Sequence, residues 1–262
     1  LAIEVADLAF VGSTNLQALS AAQMAALGTD QVVALTTLQA AALSTANMAA
    51  LSTSQLVAME VADLAVVSSA SMNGLSAAQI GALTTVQLAG LSGAQIVGLG
   101  TTQISGLTTA QVIGLGTGQA AVLSTANMAA LSTSQLVAME VADLAVVSSA
   151  SMNGLSAAQI GALTTVQLAG LSGAQIVGLG TTQISGLTTA QVIGLGTGQA
   201  AVLSTANMAA LSTSQLAVME VADLAVVSTT SLRALSAAQI AALTTGQVAG
   251  LTTTQIAGLS TA

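Results

Sequence analysis

The chain has no His, Cys, Lys, Trp, Tyr or Pro, one Arg and one Phe. Most of the vocabulary of catalysis is therefore missing. Without His or Cys there is no imidazole base, no thiolate nucleophile and no usual ligand set for zinc or iron. No enzyme and no cofactor are expected. Nine acids against one Arg leave a formal charge of -8, and a chain so poor in cations does not neutralise phosphates, so neither nucleic acid nor an anionic membrane is an expected partner. Absent cysteines leave the redox compartment open. The mean hydropathy of +0.88 is that of a membrane protein, but a spanning helix needs about 20 consecutive apolar residues. Every eight residues of this chain carry a Gln, Asn, Asp or Ser, so no transmembrane segment is expected.

What is present is a repeat. With the phase set at Ile3, residues 3–258 divide into 32 octads without insertion or deletion. The phrase is L-[S/T/G]-[T/A]-x-Q-[I/L/V/M]-x-[A/G]. Position 1 is aliphatic throughout, position 6 is aliphatic except at Ala40, Ala120 and Ala200, and position 5 is always polar. A longer period lies on top, since Leu43 to Val122 recurs unchanged as Leu123 to Val202. The expectation is one continuous array over 1–262. Its start without Met and its end in the partial phrase "LSTA" suggest a segment of a longer chain.

An unbroken α-helix does not suit this pattern, because eight residues overshoot whole turns by roughly 80° and the apolar stripe wanders round the cylinder. A flat strand sends positions 1 and 6 to opposite faces. A short helix restarted in every octad explains each position. Ser, Thr or Gly occupies position 2 in 28 octads, and these are good N-cap residues. Position 5 is then the third helical residue, where Gln reaches back to the cap in a capping box, while positions 1 and 6 become the two halves of a hydrophobic staple. Leu51, Ser52, Gln55 and Leu56, and again Leu75, Ser76, Gln79 and Ile80, are such sets. Gly at position 8, as in Gly90, Gly98, Gly106 and Gly114, suits a left-handed residue that ends the helix. Helices this short do not persist alone, so stacking must hold them. The fold expected is all-α, a solenoid or superhelix of very short capped helices, one per octad. The alternative is a β-solenoid with two octads per coil. The number of octads per turn does not follow from the sequence.

Four octads depart from the phrase. "IEVADLAF" at Ile3 and "MEVADLAV" at Met59, Met139 and Met219 place acids at positions 2 and 5, giving Glu4/Asp7, Glu60/Asp63, Glu140/Asp143 and Glu220/Asp223. The simplest reading has the Asp favouring a helix N-terminus and the Glu solvated. Others are a contact between chains, a calcium site built on these hard oxygen ligands, and a glycosidase-like acid and base. The octad that follows carries Gln17, Asn73, Asn153 or Arg233 at position 7, within reach of joining the acids. The nine Met residues sit at positions 1 and 6 and read as core. Phe10, where the other acidic octads have Val, reads as a packing adjustment.

The phrases "LSAAQIAALTTGQVAGLTTTQIAGLSTA" at residues 235–262 resemble the octapeptide arrays of very long repetitive proteins of Gram-negative bacteria, described as surface, adhesin-like or haem-utilisation proteins. The resemblance runs through the whole chain and implies bacterial export and a place outside the cell or on its surface. It carries over no functional residues, and a haem role has neither His nor Cys to rest on. The function expected is structural: an extended rod or filament that associates with itself, as a fibre or a surface-protein stalk. Few basic or aromatic residues offer few sites to common proteases, and low charge leaves little repulsion between copies. The alternative is a repetitive binding surface, an adhesin or an ice-binding face of Thr pairs, on the β-solenoid.

Overall fold

The computed structural model describes residues 4–259, so Ile3 and Ser260 to Ala262 of the closing phrase lie outside the described residues. Each octad forms one short helix. There are 32 among the described residues, from Val5–Leu8 to Thr253–Leu259, and no strand. The β-solenoid with two octads per coil is thereby corrected: the corner inside each octad exists, but the side it turns into is a helical turn.

The local rules act together in the helix Thr53–Ala58. Ser52 stands before it in extended backbone, φ -70° and ψ 161°. The Gln55 amide N-H donates to Ser52 Oγ at 3.2 Å, and the Ser52 N-H donates to Gln55 Oε1 at 2.6 Å. Leu51 and Leu56 flank this box, 2% and 0% exposed. The octad at Leu75 repeats it, with Ser76 N-H to Gln79 Oε1 at 2.7 Å and both Leu75 and Ile80 buried. Where Gly28, Gly116 or Gly196 is the cap, half the box survives, as in Gly28 N-H donating to Gln31 Oε1 at 2.7 Å.

The helices end without any left-handed residue, as no positive φ occurs among the described residues. Gly90, Gly106 and Gly114 sit near the right-handed helical region, at φ -75°, -78° and -81°. Gly98 is the last residue of the helix Gly93–Gly98. The expectation of left-handed C-caps is therefore corrected. The corner is made by extended backbone at positions 1 and 2, such as Leu51 at φ -64° and ψ 136°, which needs no glycine. At Gly98 and Gly106 the missing side chain serves packing. A methyl on Gly106 would lie 2.6 Å from the Ala77 carbonyl oxygen and one on Gly98 2.8 Å from Ser69 Cβ, each in the preceding coil.

The chain forms two compact units, Leu1–Leu131 and Ser132–Ala262. Within the first, each helix stacks on the third helix before it, as Thr53–Ala58 does on Thr29–Val33. The second unit does the same, with Thr245–Gly250 on Val221–Val226. Three octads thus complete one coil. Position 6 side chains fill its centre, with Met48, Leu88, Ile96 and Met128 at 0 to 1% exposure, and the position 1 residues close over them. All nine Met residues are buried in this way. Phe10 is not, being 88% exposed, so it makes no packing adjustment. No described helix is long and apolar enough to cross a membrane.

Candidate functional site at the polar position of each octad

Position 5 is where the chain places its buried polar groups. From Gln39 onward through the first unit it is buried in every octad, although Gln and Asn are ordinarily surface residues. The reason lies at the other end of the amide. Gln87 accepts the Thr84 N-H on Oε1 at 2.9 Å, while its Nε2 donates to the carbonyls of Leu56 and Met59 at 2.9 and 2.7 Å. Gln111 donates in the same way to Ile80 and Leu83, both at 2.7 Å. In the second unit Gln247 does so to Leu216 and Met219, at 2.8 and 2.7 Å. These carbonyls belong to position 6 of one helix end and position 1 of the corner after it, in the preceding coil.

A helix leaves N-H groups unpaired at its start and C=O groups unpaired at its end. One Gln side chain answers both, an N-H of its own helix and two C=O groups of the coil beneath. Since unpaired buried carbonyls cost about as much as lost hydrogen bonds, this ladder of amides is the polar cement of each unit. Sequence reasoning found only the capping half.

The other residues at position 5 form a graded series. Asn is shorter: Asn47 keeps the box with Ser44 but donates to Leu19 alone, at 3.2 Å, and Asn127 to Leu99 alone, at 3.2 Å. Ser231 donates one bond, Oγ to the Leu203 carbonyl at 3.0 Å. An ionised Asp has nothing to donate. Asp63, Asp143 and Asp223 are 1 to 2% exposed, and Oδ2 of each has no hydrogen-bond partner.

Each Asp of the acidic octads stands in the first turn of its helix and each Glu is exposed, as the simplest reading has it, but Asp63, Asp143 and Asp223 are buried as well. Burial pushes the Asp63, Asp143 and Asp223 carboxyls above the usual carboxylate range, and the neighbouring Glu60, Glu140 and Glu220 push them further the same way. Glu4, Glu60, Glu140 and Glu220 stand at the N-cap, exposed and without a side-chain cap bond, and Asp7 is exposed as well. Each pair is thus split between surface and interior, except Glu4 and Asp7. No group of three His, Cys, Asp or Glu residues able to hold a metal comes together among the described residues. Asn73 does not join the acids; its Oδ1 accepts from Gln103 Nε2 at 3.3 Å, one coil later. A surface groove of about 470 Å³ in the second unit is lined by Arg233 and five apolar residues, Leu235, Ala237, Ile240, Ala241 and Leu259.

A comparison with curated proteins returns no match. The signature of the ALTTAQ repeat, by contrast, recurs six times, over residues 1–37, 56–93, 87–117, 136–173, 165–197 and 216–253. With most of its length inside those matches, the chain belongs to the ALTTAQ repeat family.

Proposed function

We propose that the chain is a structural protein, an extended rod that serves as a fibre subunit or as the stalk of a bacterial surface protein and associates with its own kind. One observation carries the reading: the recurrent polar side chain of the octad is directed at the coil beneath it, as in Gln87 on Leu56 and Met59. The octad's own vocabulary is used in stacking, and its outer positions mix small Ala, Thr, Ser and Gly residues with exposed aliphatic ones such as Leu38, Val86, Val97 and Ile113. A fold that repeats one contact extends by addition. In this reading the protein is not an enzyme, uses no cofactor, binds no nucleic acid, and works outside the cell or at its surface, as the likeness to Gram-negative adhesin-like arrays suggests.

The test is sedimentation velocity and negative-stain electron microscopy of the purified chain over a range of concentrations, with and without calcium. Thin elongated particles that lengthen or bundle with concentration are expected. A compact particle that stays monomeric at every concentration and salt would overturn the proposal.

A further inference from the structure

A side chain at position 5 is held to the preceding coil by what it donates. Asp has the length of Asn, and counting back by the 28 residues that separate Asn47 and Asn127 from their single acceptors, Asp63 comes to the carbonyl of Leu35 and Asp223 to that of Leu195. Both Asp side chains are buried and both have an unpartnered Oδ2. No backbone N-H among the described residues donates to the Leu35 or the Leu195 carbonyl. No amide side chain stands at these two places to supply a bond.

We propose that the acidic octads are seams that tighten in acid: a protonated Asp63 or Asp223 donates its O-H to the carbonyl edge that Gln serves elsewhere, and an ionised one leaves that edge unbound. The proton comes from solvent, and no space is needed for a ligand. The same atoms that make the seam weak at neutral pH make it bond when protonated.

The surroundings favour this over an ion pair. The helices stacked against Val61–Val66 are Thr37–Ala41 and Thr85–Ala89, and neither carries a charge. The helix before Leu35, Thr29–Val33, carries only Asp30, and Asp63's own helix has Glu60 at its cap. Both are acids. Around Asp223 the stacked helices Thr197–Ala200 and Thr245–Gly250 are uncharged, Thr189–Ile193 is uncharged, and Glu220 caps its own helix. Arg233 stands after the next helix and does not partner Oδ2 of Asp223. Every charge facing these carboxyls other than that Arg disfavours ionisation, as burial does. A folded pKa raised above the unfolded one contributes stability that is complete below the unfolded value and is lost as pH rises through the folded value. The seams therefore open toward neutral pH, opposite to the usual acid denaturation.

The experiment compares the unaltered chain with the triple variant Asp63→Gln, Asp143→Gln, Asp223→Gln. Thermal unfolding is followed by circular dichroism from about pH 3 to about pH 8, a window that brackets ordinary and raised carboxylates. The unaltered chain is expected to melt higher in acid, and its amides at octads 59–66 and 219–226 to exchange faster at neutral pH than those of neighbouring Gln octads. The variant melts above the unaltered chain at neutral pH and loses the acid gain. A control with Glu60, Glu140 and Glu220 changed to Gln keeps most of it, since burial is the larger cause. A flat profile in the unaltered chain, or the same profile in the Asp variant, overturns the proposal. So does a neutral melting temperature that rises with calcium only when the Asp residues are present, which would assign the carboxylates to an ion. Amide exchange on the unaltered chain at two pH values separates these outcomes even where the variant fails to fold.

Discussion

At the scale of a residue, the amide at position 5 is a group with two working ends, and Gln87→Glu separates them. The change keeps the acceptor for the Thr84 N-H and deletes the donor to Leu56 and Met59. The Leu56 carbonyl keeps the Met59 N-H at 3.2 Å, but that of Met59 is left unpaired, which costs about 1 to 3 kcal/mol, and more beside a charge. We expect Gln87→Glu to destabilise the chain by at least about 2 kcal/mol at neutral pH, with part of the loss recovered in acid as the carboxyl regains a donor; chemical denaturation at two pH values reads both. The capping half of this group was legible, because Ser52 and Gln55 lie three residues apart and a local rule names them. The stacking half was not, because its partners lie 28 to 31 residues back. It leaves one trace in the sequence: position 5 holds Gln, Asn, Ser or Asp but never Glu, although Glu serves a capping box as well as Gln does.

At the scale of the helix, the cap and the end have different tolerances. Ser52→Ala removes the oxygen that accepts the Gln55 N-H and is expected to cost about 0.5 to 2 kcal/mol, whereas Ser52→Gly costs a few tenths. Thermal melts of the two variants should rank in that order, in keeping with the Gly caps at Gly28 and Gly100. Glycines at the other end divide by what lies opposite. Gly106→Ala sets a methyl against the Ala77 backbone, which has no flexible end to yield, and should lower the melting temperature. Gly118→Ala meets nothing within 4 Å in the helix Thr117–Ala120, so the ordinary helix preference of Ala over Gly, up to about 1 kcal/mol, should raise it. The sequence showed that position 8 is most often Ala or Gly. It did not show why, since a left-handed turn and a close neighbour both select Gly, and only the dihedral angles distinguish them.

At the scale of the whole molecule, that one helix forms per octad was readable from periodicity, while three octads per coil was not. A corner recurring every eight residues serves a coil of any number of sides, and the angle that decides it resides in the φ and ψ of positions such as Leu51 and Ser52. Each helix has at most seven residues, well below the about 12 to 15 that an isolated helix needs. A peptide of three octads is therefore expected to show no helical circular dichroism, and helicity and melting temperature to climb as octads are added in series. The spacing of the ladder also bears on how such a chain is made. Because Gln39, Gln55, Gln87 and Gln111 each reach back only 28 to 31 residues, an octad arriving at a growing tip finds all its acceptors already in place. Assembly can then keep pace with synthesis or passage through a membrane pore, one octad at a time, and the time to add the next one does not depend on how many came before.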